Sequence, residues 1–253
     1  MSLAADFKAR LVAGEPLLGT FVKTPHPSVV EILAQTSLDC LCLDAEHAPF
    51  DRVDLDRGIM AARAGGIAAL VRVASGAPHE ILNALDLGAV GVVVPHIRSP
   101  QEAEAAVRAC HYGAGGRGYA GGTRASGYVS PAIGQRLIQT RAETSVILQI
   151  EDVEALEHLD GIVAVPGVDA IFIGRIDLTV ALGETDPKAD SVLTAVSEIV
   201  AACRAAGRAV GMFTPDLGEI ARWRAEGAGL FLLGADHGFI RGGATQLRAD
   251  VGF

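Results

Sequence analysis

The sequence is poor in several of the features from which function is usually read. Aromatic residues make up 5% of its 253 positions, and only three lysines are present, Lys8, Lys23 and Lys188. Four cysteines, at 40, 42, 110 and 203, form no Cys-x-x-Cys pair. That spacing argues against a disulfide framework or a structural zinc, so reduced thiols and a cytoplasmic protein are expected. No apolar run approaches the ~20 residues that a membrane-spanning helix requires, and the opening MSLAADFKARL lacks the hydrophobic stretch of a secretory signal. Positive charge is also short, with a formal net charge of -9. Nucleic-acid binding wants a basic face, so neither nucleic acid nor membrane is an expected partner.

What the chain does have is apolar substance. Half of its residues are hydrophobic and 30 are glycine, which excludes a disordered chain and supplies enough core to stand without disulfides. Short apolar runs rich in β-branched residues lie at 17–22, 39–44, 68–73, 90–94, 145–150, 169–173, 209–213 and 229–234. Several are apolar on consecutive positions, the pattern of parallel strands buried on both faces. Stretches with helical spacing fall between them, at 27–36, 51–64, 78–87, 100–110, 153–164 and 191–206. Pro27, Pro78 and Pro100 sit at their starts, where a missing N–H costs nothing. Gly88, Gly207 and Gly227 follow helical runs as terminators.

Eight strand–helix repeats in about 250 residues predict an α/β protein, a (β/α)8 TIM barrel forming one domain over 1–253, with an open doubly wound sheet as the alternative. Two stretches exceed the repeat, a Gly-rich insertion at 111–135 and a loop at 174–190. Residues 113–118 read Gly-Ala-Gly-Gly-Arg-Gly and match a dinucleotide fingerprint in letters only. A helix precedes them and more loop follows, so the strand–turn–helix mechanism of that fingerprint is missing.

In such a barrel the reactive side chains project from the C-terminal ends of the strands. Those positions hold Asp44-Ala45-Glu46-His47, Arg72, Gln149-Ile150-Glu151, Gly174-Arg175-Ile176-Asp177 and Asp236-His237. Arg72 in an apolar run is read as functional, because a buried ion pair is a poor source of stability. Glu151 and Asp177 offer hard oxygen ligands that suit Mg²⁺ or Mn²⁺ and leave positions for water and a keto acid. With a divalent ion, Arg72 would stabilise an enolate oxygen, and His47 beside a carboxylate would move the proton. Lys23 is the one lysine near a strand end and shows no activation, so an imine route is disfavoured. His26, His79, His96, His111 and His158 show no partner pattern and are read as surface or loop-anchoring residues.

These residues resemble those of the HpcH/HpaI-type metal-dependent (class II) pyruvate aldolases, which include 4-hydroxy-2-oxoheptanedioate and 2-keto-3-deoxy sugar-acid aldolases. The resemblance is carried by Leu18-Gly19-Thr20-Phe21, Leu43-Asp44-Ala45-Glu46-His47-Ala48-Pro49, Val71-Arg72-Val73, Leu85-Asp86-Leu87-Gly88-Ala89 and Val94-Pro95-His96. Beyond these it continues through Gly116-Arg117-Gly118, Gln149-Ile150-Glu151, Ile173-Gly174, Asp177-Leu178 and Ala181-Leu182-Gly183.

The resemblance implies a barrel of the phosphoenolpyruvate/pyruvate type that cleaves a 4-hydroxy-2-keto acid reversibly to pyruvate and an aldehyde, in aromatic or sugar-acid catabolism. Glu151 and Asp177 would bind a divalent metal, Mg²⁺ or Mn²⁺ first and Co²⁺ or others next. His47 would be the acid/base, oriented by Asp44 and Asp86, and Arg72 would hold the enolate. Gln149, Gly174, Ile176 and Asp177 would hold the pyruvate part. It further implies a homo-oligomer, a hexamer of two trimers, with the C-terminal run 237–253 exchanged between neighbours. Where the family has Gly-Pro and a small residue, this chain has Gly174-Arg175-Ile176. Oxaloacetate decarboxylation at the same site, or a silent ligand-binding barrel, are the alternative functions.

Overall fold

The apolar runs become eight parallel strands: β1 (Leu17–Val22), β2 (Cys40–Asp44), β3 (Ala68–Arg72), β4 (Gly91–Val94), β5 (Ser145–Ile150), β6 (Ala170–Ile173), β7 (Ala209–Met212) and β8 (Leu230–Ala235). In the computed structural model, which describes residues 1–252, they close into a barrel in chain order, β8 pairing with β1. Phe253, the last position of the expected domain and of the 237–253 run, lies outside the described residues. The open sheet is thereby excluded.

The period-two alternation of a strand sorts the side chains into two cores. Cys40 and Cys42 of β2, Ala68 and Leu70 of β3, Ile147 of β5, and Ala170 and Phe172 of β6 belong to the cluster inside the barrel. The intervening Leu41, Leu43, Ala69, Val71, Val146, Leu148, Ile171 and Ile173 pack outward under the helices. Continued by one step, the inward series of β2, β3 and β5 arrives at Asp44, Arg72 and Gln149. The polar residues at the mouth are thus the last members of the inward-facing rows. Phe7 and Leu11 of the helix Leu3–Val12 join the inner cluster beside Leu17 and Leu230. They stop the opposite, N-terminal end of the barrel, each apolar side chain contributing about 1.5–3 kcal/mol by burial.

The helices follow the expected spacing, with Pro27, Pro78 and Pro100 at their first turns. Gly88, Gly207 and Gly227 all take positive φ, at 99°, 66° and 123°. Two differences stand out. The stretch 153–164 is two short helices, Val153–Leu156 and Leu159–Ala164, interrupted at Glu157-His158. The segment 174–190, expected as loop, opens with a helix, Arg175–Ala181. Its seven residues are too few to show a helical period, and its β-branched Ile176, Thr179 and Val180 disguise it further. The insertion expected over 111–135 is irregular only to 132, apart from one 3₁₀ turn, Arg124–Ser126, and its last three residues open the helix Ile133–Glu143. Among the described residues, no helix is long and apolar enough to cross a membrane.

Candidate active site

β2 and β3 aim the central pair. Asp44 and Arg72 are opposite each other in the parallel register. Nε of Arg72 donates to Oδ1 of Asp44 at 3.0 Å, and Nη2 donates to Oδ2 at 2.8 Å. Both side chains are buried. Arg72 also approaches Glu46 (Nε to Oε2, 3.3 Å) and lies 4.8 Å from the centre of the Phe21 ring. Lys23, just past β1, places Nζ 3.3 Å from Oδ2 of Asp44. Burial would raise the Asp44 carboxyl, but Arg72, the His47 N–H and Lys23 together hold it below the usual carboxylate range.

Asp44 also shapes the turn that follows it. Its Oδ1 accepts the backbone N–H of Glu46 at 3.3 Å and of His47 at 3.1 Å, a side-chain turn that fixes where His47 leaves the strand. The orienting role expected of Asp44 is exerted on the backbone of His47 and not on its ring. The half-exposed imidazole has Glu46 as its nearest carboxylate, Nε2 to Oε2 at 3.9 Å.

β5 supplies the second half. Gln149 donates from Nε2 to Oε2 of Glu151 in a short hydrogen bond, and both side chains are buried. The other oxygen of Glu151, Oε1, accepts the N–H of His96 at 3.0 Å. Burial raises the Glu151 carboxyl above the ordinary range, with Glu46 adding repulsion, although Gln149 and His96 pull the other way. Glu46 is raised for the same first reason, burial, and both Asp44 and Asp177 push it further. Its Oε2 is buried with no hydrogen-bond donor.

His96 belongs to this group, which corrects its reading as a loop-anchoring residue. It follows β4 with φ at 56°, the left-handed region that a non-glycine residue enters only at a cost of ~1–3 kcal/mol. The turn sets Nδ1 3.0 Å from Asp152 and 3.4 Å from Glu151, and Nε2 3.4 Å from Glu46. Burial lowers the imidazole's proton affinity, yet these three carboxylates together raise it. Glu46, His96 and Glu151 can each offer one ligand atom within 4.8 Å of the others. The donor set, with a buried carboxylate oxygen that accepts no hydrogen bond and two carboxylates held above their usual range, fits a divalent cation.

Asp177 occupies the first turn of Arg175–Ala181 and lies outside that three-residue group. It lines the barrel mouth, a cavity of about 380 Å³, together with His47, Arg72, Gln149, Ile176 and an aromatic wall of Phe21, Phe172 and Phe213. Gly174 is required by close approach: a Cβ there would stand 2.5 Å from Oε2 of Glu151 and 3.3 Å from Nε2 of Gln149. Arg175, the departure noted in the sequence, belongs to the lining of this cavity and is wholly buried. It donates to the carbonyl of Pro187 at 2.8 Å and pairs with Glu219 in a short contact.

Asp86 is not brought to the mouth of its own chain. It ends the helix Pro78–Asp86, which descends from β3 to the start of β4. It therefore sits at the N-terminal end of the barrel, 4.0 Å from Nε of Arg117. Asp236 is structural, accepting the N–H groups of Lys23 and Thr24 at 2.7 and 3.0 Å. Glu46, His96, Asp152 and the phenylalanine wall were not singled out as ligand-binding from the sequence. The strand-end rule, applied to β4 as it was to the other strands, points to His96.

The model of the HpcH/HpaI aldolase/citrate lyase family matches residues 17–241. A hydroxypyruvate/pyruvate aldolase of Paraburkholderia phytofirmans is 35% identical over 238 residues, 90% of each chain. A 5-keto-4-deoxy-D-glucarate aldolase of Shigella dysenteriae is 32% identical, with 97% of this chain and 95% of that one covered. The crystal structure of an HpcH/HpaI aldolase/citrate lyase family protein from Burkholderia cenocepacia superposes with a TM-score of 0.90 at 33% identity, covering 98% of this chain and 99% of the other.

Proposed function

The chain belongs to the HpcH/HpaI aldolase/citrate lyase family, and from that premise we propose that it is a metal-dependent pyruvate aldolase, a carbon–carbon lyase that cleaves a 4-hydroxy-2-keto acid reversibly to pyruvate and an aldehyde. The observation that carries this reading is the meeting of Arg72, His47, Gln149 and Asp177 on one cavity, with Glu151 directly behind Gly174. The aldolase names of the relatives support it over decarboxylation or a silent barrel.

Glu151 and Asp177 are the proposed metal ligands, and Glu46 and His96, which can offer ligand atoms beside Glu151, are further donors to the same ion. Mg²⁺ or Mn²⁺ suits the oxygen donors, and Co²⁺ is compatible with them. When bound, such an ion supplies Lewis-acid stabilisation of charge on the substrate's keto oxygen. Arg72 does the same from the protein side. Asp44 engages its Nε and Nη2, so Nη1 is the edge left for a ligand oxygen. Gln149, anchored on Glu151, orients the keto-acid end. His47 stands at the rim, held by Asp44 through its backbone, where it takes a proton from the 4-hydroxyl in cleavage and returns it in condensation. Phe21, Phe172 and Phe213 exclude water from the reacting carbons, and Ile176 walls the side toward the aldehyde.

Exchange of pyruvate's methyl protons with D₂O, followed by NMR, tests the reading without any choice of aldehyde. Exchange is expected with Mn²⁺ or Mg²⁺, to vanish in EDTA and to be lost in Glu151→Gln. Exchange that survives EDTA, or Glu151→Gln at full rate, overturns it.

The oligomer is part of the proposal. The helix Asp236–Val251 buries only Asp236 among its residues, while Phe239, Ile240, Leu247 and Val251 are each at least half exposed. An apolar stripe left uncovered on the last helix supports its packing on a neighbouring chain, as in a hexamer of two trimers.

A further inference from the structure

A second cavity, of about 440 Å³, lies at the far end of the barrel from the mouth. Its walls come from the end of Pro78–Asp86 and the residues leading into β4 (Leu85, Gly88, Ala89, Val90), from the turn at 125–127, from Ile133–Glu143, and from Ser2, Leu3 and Ala4 at the start of the first helix. Three guanidinium groups line it: Arg63, Arg117 and Arg136.

Two of these arginines are buried without the partners that buried charge demands. Arg136 is 1% exposed, and neither Nε nor Nη1 has a hydrogen-bond acceptor. Its nearest carboxylate oxygen, Oε2 of Glu143, is 3.8 Å away, while Oε1 of Glu143 accepts from Ser2 and Gln139. Arg117 is 5% exposed and stacks on Tyr112 at 4.1 Å, while its Nε also lacks an acceptor. Asp86 lies 4.0 Å from that nitrogen and leaves its own Oδ1 unbonded. Arg63 reaches in from the exposed side past Gly88, where an added Cβ would come within 2.9 Å of Nη1. Three guanidiniums therefore face two carboxylates, Glu143 and Asp86. Desolvated guanidinium N–H groups without acceptors cost several kcal/mol, more than a fold keeps without return.

The first helix adds a donor end to this excess. Leu3–Val12 spans ten residues, and its opening residues line the cavity. Ser2 caps Ala5, and a helix start carries the equivalent of roughly half a positive charge.

We propose that this cavity is an anion-binding site that takes a small phosphate-class oxyanion. Arg136 and Arg117 supply the buried donors, Arg63 the solvent-side donor, and the first helix its N-terminal field. The site uses none of the groups at the mouth. It absorbs the Gly-rich insertion, because Arg117 is the one charged residue of the Gly-Ala-Gly-Gly-Arg-Gly run, and Arg63 also donates to the carbonyl of Arg124 at 2.9 Å. The run thus takes an anion as its letters suggest, but through an arginine in place of a strand–turn–helix cradle.

The test is calorimetric titration with inorganic phosphate of the metal-free protein in EDTA and of the Mg²⁺-loaded protein with saturating oxalate, followed by thermal unfolding against chloride at equal ionic strength. One phosphate per chain is expected, with a rise in melting temperature that chloride does not reproduce and no competition from oxalate. Arg136→Gln should weaken binding at least ~10-fold, the loss of one charge-assisted donor pair. Arg63→Ala should weaken it a few-fold, and because Arg63 is exposed this variant decides the matter if Arg136→Gln does not fold. No phosphate effect beyond chloride, an adventitious ion displaced by chloride, binding unchanged in the variants, or competition from oxalate would each overturn the proposal.

Discussion

Asp44 and Arg72 are neighbours in the register of β2 and β3 and are joined by two hydrogen bonds, so the guanidinium at the mouth is aimed by strand pairing and not by a loop. A single ammonium cannot reproduce that fork. Arg72→Lys should therefore fold with near-normal circular dichroism and lose ~100-fold or more in pyruvate proton exchange, the scale of a lost oxyanion donor. Arg72→Met leaves the buried Asp44 carboxylate with only Lys23 and two backbone N–H groups and should cost about 3 kcal/mol in urea unfolding. A Lys variant with normal exchange would remove Arg72 from the chemistry.

Gly174 admits no side chain beside Glu151. Gly174→Ala needs no left-handed backbone, φ being -79°, so its effect should come from contact with Glu151. Mn²⁺ affinity by calorimetry is expected to drop at least ~10-fold, with a loss of stability beside it, since the methyl would stand 2.5 Å from Oε2 and 2.8 Å from Cβ of Glu151. A large loss of stability with intact metal binding would place the contact in the fold alone.

The pH dependence of metal binding follows from the raised carboxyls. Glu151 and Glu46 are held above the usual range chiefly by burial, so the metal-free folded protein binds protons more readily there than the unfolded chain. Their ionisation costs stability, and that cost appears as pH rises through the ordinary carboxylate range and on to the folded-state values. A bound cation offsets it. Melting temperature should thus respond more to Mn²⁺ at neutral pH than in mild acid. Mn²⁺ affinity should begin to fall at a pH above the ~4.3 of an ordinary glutamate. Calorimetry in buffers of different ionisation enthalpy should show proton release on binding in that window. Affinity flat down to pH 4.3 would contradict the raised values.

How much of this was legible in the sequence depends on which physical rule placed each residue. Asp44, Arg72, Gln149 and Glu151 were readable because strand alternation and the strand-end rule act on them directly. The same rule applied to β4 reaches His96, but its approach to three carboxylates was not readable, since it depends on a φ of 56° that no periodicity encodes. Glu46 lies two residues past the end of β2, where the strand no longer directs side chains, and its role comes from the turn that Asp44 makes. Asp86 was assigned to the mouth by resemblance, although it closes a helix that leads into β4, and such a position belongs to the N-terminal end. The buried arginines of the second cavity carry no local signal, because their burial is set by the insertion folding over α/β elements distant in sequence.

Arg175 explains how the loop that departs from the family pattern is held. It is fully buried and ties Pro187 to Glu219, whose Oε2 also accepts from the indole of Trp223 at 3.2 Å. Glu219→Ala leaves a buried guanidinium without its carboxylate and should destabilise by about 3–5 kcal/mol. Trp223 is the one tryptophan in the chain, so its fluorescence reports the change directly. A loss well under 1 kcal/mol would mean that solvent reaches Arg175 and that the clamp is weak.

The last helix sets up the remaining prediction. Ile240, Leu247 and Val251 recur at helical spacing and are exposed, with Phe239 beside them, a stripe that water penalises and a neighbouring chain would cover. The full-length protein should run in light scattering at a multiple of its 26.1 kDa mass. Ile240→Glu with Leu247→Glu should lower that multiple, because two charges placed in an apolar contact cost far more than the same charges in water. The barrel core does not include these side chains, so the far-ultraviolet spectrum of the double variant should be unchanged. If the full-length chain is monomeric, or the double variant keeps its mass, the stripe is not the contact that assembles it.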